Sequence, residues 1–518
     1  MLSDLEQLGV LAPFLLLVAA VLALPITSLL LRRYRRSVAI LMSATGSDVP
    51  AARTAHPRNG GHAPAGARAA EVLAHRRLVH VAITVGAGLF VGISYTWLFY
   101  FWNDFEVLPF RSVFLVLMFS WPAVPGVWVS TDADWRWTFA AAGAYFAAVI
   151  AVSIAGGTGV GNALLVWVLF NGLPTLVVAA FFSRAFRAVG VLVLGVMLLA
   201  VTGSQALLGT LESDAAARMA VELGFLAGIE NAEAIFVLVP LIAFVVTAAA
   251  GWWMLMRLGR WYARHGFSDH MLLLGSMCFV FCLDYVTSAA GGEFRALAIG
   301  VGLFVVLAVG TLWVYHSFVH RSGQVSRLLL LRVFDQGTGT AGLLEAVAAR
   351  WRPIGPVRLI GAPDLAGSTI EPDEFLAFTS GRLRRLFIDS AAALQERLAT
   401  IAPVPDPDGR YRVDEFFCFD TTWRAAVESL LAESDLVLMD VRGFTSDRLG
   451  ATHELELLGR ERAFDRTLLV VDEHTDTDLV DRIFTGTGSS TPRRHQAGTD
   501  AGPDEIVQVL VGVGSAGR

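Results

Sequence analysis

Lysine is missing altogether: all 40 of the Lys and Arg positions are arginine. That absence excludes a phosphate-binding loop built on Lys, a Schiff-base Lys and the strand Lys of protein kinases. Cysteine is nearly as scarce, at three residues, so no disulfide framework is implied. Cys278 and Cys282 stand one helical turn apart in an apolar segment without a neighbouring His. They read as small packing residues, and no metal site is expected. Charge is also sparse, at 17% of residues against 55% hydrophobic, with a mean hydropathy of +0.58. Soluble domains carry about 25% charged residues, so this balance points to a multi-span membrane protein.

The charge that is present is unevenly spread. From Ser322 onward there are 30 Asp and Glu against 21 Arg, a net of −9, and the preceding residues carry a net of +3. Nucleic-acid binding needs a basic face, so an acidic tail argues against nucleic acid as a partner.

Nine apolar runs precede that tail, at 8–31, 78–102, 111–131, 137–156, 162–182, 188–209, 235–257, 271–290 and 296–317. Each is long enough to cross about 30 Å of hydrocarbon. The first has acids before it (Asp4, Glu6) and Arg32, Arg33, Arg35 and Arg36 after it. A cleavable signal peptide carries its charge the other way round, so 1–36 reads as a retained span with its N-terminus outside. Residues 37–77, rich in Ala, Gly, Pro, His and Arg, read as a flexible cytoplasmic loop. Arg184 and Arg187, the cluster Arg257 to Arg264, and His320 with Arg321 then all fall on the cytoplasmic side, as the positive-inside rule requires. This defines an eight-span block over 78–320 and places 322–518 in the cytoplasm beneath an inner membrane. Residues 215–234 carry apolar side chains at helical spacing and read as an amphipathic or re-entrant helix on the outer side. Within the spans, Asp284 and Asn171 are the polar residues that invite a functional reading, because ionisable groups in hydrocarbon are costly.

After Ser322 the pattern changes to short apolar runs alternating with amphipathic helices. Strands are expected at 328–334, 357–360, 416–419, 436–441, 467–471 and 506–511. Helices are expected at 340–351, 381–401, 422–432, 451–462 and near 478–484, with 485–503 a loop. The fold class is therefore a nine-span α-helical membrane domain followed by a cytoplasmic α/β domain with a doubly wound, mostly parallel sheet. Ligands in such folds bind at the carboxyl ends of the strands.

Three constellations fall at those ends. Gly337, Gly339 and Gly342 form a literal G-x-G-x-x-G between a strand and a helix, and Asp364 follows 22 residues after Gly342. That is dinucleotide-fingerprint spacing, although Asp335 and Gln336 intervene where the tight turn should begin. A Gly/Thr-rich turn that merely starts a helix explains the same residues. The second constellation is Ser434 to Leu458: strand, acid (Asp440), turn (Arg442, Gly443), polar loop (Asp447), then a helix opening with His453 and Glu454. A carboxylate there can hydrogen-bond ribose hydroxyls or act at C1′. It can equally do no more than complement the helix dipole. The third is Arg382, Arg384 and Arg385, which read as a solvated helix face or an anion contact.

The stretch DLVLMDVRGFTSDRLGATHELELL resembles the corresponding segment of nucleoside 2-deoxyribosyltransferases and, more loosely, of TIR-type NAD glycohydrolases. Those families place a catalytic Glu early in the helix after this strand, and the position matched is Glu454. Asp447, Gly450 and Thr452 are similar in spacing to the residues preceding that Glu. The first strand, LLLLRVFDQG, lacks the deoxyribosyltransferase sugar-binding turn, and Glu456 stands where Gly is usual. The resemblance implies a nucleotide ligand or substrate, NAD or a derivative, with Glu454 catalytic and Asp440, Arg442, Gly443, Asp447 and His453 around it. It implies self-association as well. Two other readings stay open: a non-catalytic assembly module on a membrane anchor, and a transporter with a nucleotide-binding tail.

Overall fold

The chain divides into two units. One comprises residues 1–32, 77–318 and 371–373. The other comprises 33–76, 319–370 and 374–518. The structure, a computed structural model, describes residues 2–44, 66–131, 135–183, 186, 189–211, 213–229, 231–290, 294–319, 326–332, 338–361, 370, 372–401, 404–497 and 502–516.

Among the described residues nine helices are long and apolar enough to cross a membrane. They are Phe14–Met42, His75–Asn103, Pro109–Ser130, Trp135–Ala155, Val160–Phe181, Gly190–Thr210, Val237–Ala263, Asp269–Ala289 and Arg295–Phe318, one at each expected place. Proline and its neighbours mark the irregularities. The third candidate span is two helices, Pro109–Phe119 and Ala123–Ser130, meeting at Pro122. The fifth carries a π-helical turn, Val168–Gly172, just before Pro174, whose ring removes one N–H from the ladder. Between the sixth and seventh lies Asp214–Leu226, capped by Ser213, whose Oγ accepts from Ala216 N at 3.4 Å. It leaves Met219, Leu223 and Leu226 exposed, the amphipathic helix expected there.

The expected loop at 37–77 is helical at both ends. The first helix continues to Met42 and the next begins at Gly66, both in segments without proline that contain good helix formers. These pieces belong to the second unit. Tyr34 donates to Glu374 Oε2 at 3.4 Å and stands edge-on to Phe378. Arg76 Nη1 donates to the carbonyls of Pro353 (2.8 Å) and Gly409 (2.6 Å).

The second unit is built on a seven-stranded sheet. Its strands are β1 (Leu328–Arg332), β2 (Val357–Ile360), β3 (Phe387–Ile388), β4 (Val413–Cys418), β5 (Leu436–Asp440), β6 (Thr467–Val471) and β7 (Arg493–Gln496). The helices are α1 (Thr338–Trp351), α2 (Pro372–Thr379), α3 (Ala391–Thr400), α4 (Trp423–Glu433), α5 (Leu449–Arg460), α6 (Thr477–Gly486) and α7 (Pro503–Ala516). The order is β3-β4-β2-β1-β5-β6-β7, and every pairing is parallel. The chain leaves β1 for β2 on one side and later returns to β5 on the other. The strand order therefore reverses between β1 and β5.

Strand periodicity of two sorts the apolar residues onto two faces. Leu329, Leu331, Val437, Met439, Leu469 and Val471 pack under α3, α4, α5 and α6. Leu328, Leu330, Leu436, Leu438, Leu468 and Val470 pack under α1 and α7. Both faces are covered, which is why these strands read as unbroken apolar runs.

Three expectations are corrected. Residues 506–511 form no strand; they lie in α7, where Ile506, Val507, Leu510 and Val511 are buried beside Val347 and Trp351 of α1. A short apolar run of this kind suits a buried strand and a buried helix alike. Pro503 at the helix start, with Asp504 and Glu505 in its first turn, was the helix signal beside it. The long helix expected at 381–401 is broken. Gly381 (φ +69°) follows α2, Phe387–Ile388 pairs with Phe417–Cys418 as β3, and Ser390 caps α3 by accepting from Ala393 N at 3.2 Å. Lastly, 485–503 contains β7, an edge strand of Arg, His and Gln with no apolar signal, in keeping with the way edges are blunted.

Candidate functional site

The carboxyl ends of β1 and β5 are adjacent: Arg332, the last residue of β1, is the register partner of Asp440, the last of β5. Parallel α/β sheets offer their ligand crevice at such a reversal point. Helix α5 follows β5 and carries Glu454 in its second turn, because the helix begins at Leu449 rather than at 451. Complementing the helix dipole is effective only in the first turn, so that alternative explanation of Glu454 loses force.

Glu454 is buried, at 1% exposure, and its Oε2 has no hydrogen-bond partner. Burial pushes its carboxyl up to about 8; the Arg332 guanidinium pulls the other way without offsetting the burial. At neutral pH the group is therefore mostly a neutral acid, able to donate as well as accept a hydrogen bond. A buried carboxyl with a strongly raised pKa beside one arginine is the arrangement by which catalytic acids are tuned, and also one by which a core ion pair is held.

Asp440 has a different task. It is 1% exposed and accepts two side-chain hydrogen bonds from Arg442, at 2.9 Å from Nε and 2.7 Å from Nη2, and one from Arg442 N at 3.2 Å. Hydrogen bonding to Asp440 raises the Arg442 pKa above its ordinary value. The turn beyond them is pinned to the next strand end. Gly443, at φ +61°, donates its N–H to Asp472 Oδ1 at 2.9 Å. The Thr475 hydroxyl donates to the same oxygen at 2.7 Å, and His474 N does so at 3.2 Å. Burial alone would lift Asp472, but the Gly443, Thr475 and His474 donors outweigh it and hold the carboxyl below the usual range. These groups form a rigid floor behind the β5–α5 turn.

The other sequence-predicted residues are placed elsewhere. Asp447 is exposed, and its carboxylate, which accepts from the Thr445 hydroxyl, sits below its ordinary pKa for that reason first. His453 adjoins Glu454 in sequence but stands edge-on to Trp423 of α4, with ring centroids 5.5 Å apart. Consecutive helix residues point about 100° apart. Burial, then Arg424 and Arg460, lower the His453 pKa. Gly339 and Gly342 lie inside α1, while Gly337 and Asp364 lie outside the described residues. Arg384 lies over the Phe419 ring at 5.9 Å, and Arg382, Arg384 and Arg385 sit at the short 3₁₀ turn before β3 rather than on a long helix. No group of metal-ligating side chains occurs among the described residues.

Sequence reasoning missed Arg332 and Asp472. Both signals were legible: an arginine closes an otherwise all-leucine strand, and an acid follows β6 just as one ends β5.

In the other unit Asn171 lies in the π-turn, fully buried. It accepts from Tyr285 OH at 2.5 Å and donates to Met118 O at 3.2 Å. Asp284 is 3% exposed, and its Oδ1 has no hydrogen-bond partner. A cleft of about 310 Å³ in this unit is lined almost wholly by apolar side chains and includes neither Asp284 nor Asn171.

In comparisons with family models, curated proteins and solved structures, nothing matches this chain.

Proposed function

We propose that the chain is a multi-pass membrane sensor whose α/β unit is cytoplasmic and binds a nucleotide, NAD or a derivative. In this reading Glu454 engages the ribose at an N-glycosidic bond and the Asp440–Arg442 pair fixes the floor of the pocket. The nine apolar helices and the arginine-rich connections support the membrane placement, with the N-terminus outside. The observation that carries the nucleotide reading is Glu454, a buried carboxyl with an unpartnered oxygen at the reversal of a parallel sheet. A neutral acid there can protonate a departing base or hydrogen-bond the ribose hydroxyls.

One observation favours a second reading. The Arg332 charge acts on Glu454, and Glu454 is almost fully enclosed, as a structural pair in a non-catalytic assembly module would be. The transporter reading gains no support from a cleft that leaves Asp284 out.

The test is the full-length chain in detergent or nanodiscs, incubated with NAD and a panel of nucleosides, with free base followed by chromatography. Wild type and Glu454→Gln are compared at low and high protein concentration, since self-association is expected. Base release that disappears in Glu454→Gln upholds the enzyme. Saturable binding without release leaves a nucleotide sensor. Neither binding nor release at any concentration sinks the nucleotide reading in favour of assembly.

A further inference from the structure

The cleft in the helical unit is walled chiefly by five candidate spans, with Pro122 of a sixth, and the parts that line it share one end of the bundle. They are Ile83 to Gly88, Val191 to Leu199, Gly251 to Trp261, Met271 to Phe279 and Phe304 to Tyr315. The first, second and fourth belong to the opening halves of their helices, and the third and fifth to the closing halves. Consecutive spans run in opposite directions, so these halves all lie toward the same membrane face. That face carries Arg257, Arg260 and Arg264.

Missing side chains make the cleft. A Cβ built on Gly275 would meet nothing within 4 Å, and one on Gly195 would meet only Phe279 Cε1 at 4.0 Å. A void of this size lined by Leu, Val, Met and Phe stays dry and takes apolar ligands. Polar contacts flank part of its wall. There Tyr315 OH lies 3.1 Å from His80 Nδ1, and Thr84 Oγ1 lies 2.6 Å from Ser130 Oγ. Arg257 comes three residues after Met254 and four before Trp261, both of which line the cleft, so it flanks the lining face. Arg257 is exposed and stacked 4.7 Å over Trp253, and Arg260 and Arg264 are exposed too. None of the three forms an ion pair with a carboxylate among the described residues.

We propose that this cleft is a binding site for an anionic membrane lipid: one acyl chain lies in the apolar channel and the headgroup phosphate meets Arg257. The occupant follows from the chemistry of the walls. The walls are helices long and apolar enough to cross a membrane, whose hydrocarbon would supply acyl chains at high local concentration. Arg257 complements a phosphate and has no carboxylate among the described residues to satisfy it. This site is independent of Glu454 and of any nucleotide.

The test is native mass spectrometry of the full-length chain taken from nanodiscs holding equal amounts of phosphatidylglycerol and phosphatidylcholine. Wild type should retain one phosphatidylglycerol. Gly275→Leu and Gly195→Leu, which fill the cleft, should each lower retention about tenfold or more while keeping the thermal melting temperature. The Arg257→Ala variant should retain lipid but lose the preference for phosphatidylglycerol. Retention of a co-purified free fatty acid in place of phospholipid would overturn the phosphate assignment. A wild type that keeps no lipid, filled variants that keep as much as wild type, or an arginine variant with undiminished preference would each overturn the proposal.

Discussion

The two units bury polar groups by different rules. In the α/β unit buried charges face opposite charges: Asp440 takes both arms of Arg442, Asp406 pairs with Arg412 at 3.1 Å, and Arg358 meets Glu433 at 2.8 Å. In the helical unit many neutral side chains bond back to main-chain carbonyls, and others pair with one another, as Asn171 does with Tyr285. Ser120 donates to Val116 O, Thr131 to Val127 O, Ser153 to Val149 O, Thr287 to Leu283 O, and Tyr145 across to Leu117 O. The reason is the surroundings. An ion pair needs residual solvation or a dense set of donors, which the edge of a sheet domain provides. An apolar helical bundle provides neither, and the carbonyl one turn earlier is the cheapest acceptor. Two buried carboxyls stand apart from these patterns, Glu454 in the first unit and Asp284 in the second. Each has an oxygen without a hydrogen-bond partner, but only Glu454 has an arginine acting on it.

The comparison can be broken most forcefully at Asp440. Asp440→Ala leaves Arg442 half-buried with its main acceptor gone and should destabilise the α/β unit by about 3 kcal/mol, read by thermal melting of the full-length chain. A loss under about 1 kcal/mol would mean the pair is dispensable and the contrast between the units is cosmetic. Glu454 gives an effect of comparable size, and it depends on pH. Its carboxyl rises from an ordinary value of 4.5 to about 8 on folding. The folded state therefore holds a proton that the unfolded chain has released between those values. Stability from this group is complete below about pH 4.5 and is lost as pH climbs to about 8, at roughly 1.4 kcal/mol per unit. Glu454→Gln should flatten that slope and melt higher than wild type at pH 7.5, with the gap closing at pH 5. Parallel pH curves for the two proteins would show that Glu454 is ionised in the folded state.

Smaller effects sharpen the other side. Tyr285→Phe removes the donor to Asn171 and should cost about 1 kcal/mol, since hydrogen bonds among membrane helices are individually modest. A cost above about 3 kcal/mol would mark the π-turn as a keystone of the bundle. Asp447→Asn should leave the melting temperature unchanged at neutral pH, because its carboxylate is exposed and its partner is a neighbouring threonine. A measurable drop in nucleotide binding by that variant, with stability intact, would return Asp447 to the ligand site.

Legibility in the sequence followed the length and burial of each element. The nine apolar helices were readable because each needs many consecutive apolar residues. Strands β2 and β6 were placed to the residue because both faces are covered and turn residues bound them. Helix α7 was misread because an apolar run of that length, rich in valine, suits a buried strand and a buried helix alike. Strands β3 and β7 left no apolar signal of their own: one has two residues, and the other is a polar edge. At the candidate site the acid, the turn glycine and Glu454 were legible one by one. Their division into a self-satisfied floor and an unpartnered carboxyl was not.

The sequence by itself determined the class of each half, because the periods of apolar residues and the lack of charge act locally and survive without knowledge of contacts. It also excluded every lysine-dependent chemistry. Only the tertiary structure decided that β1 and β5 are neighbours, that Arg332 therefore acts on Glu454, and that glycines from separate helices leave one cleft. These depend on residues 80 or more positions apart being brought together. Strand order and helix packing set that proximity, and no local pattern encodes it.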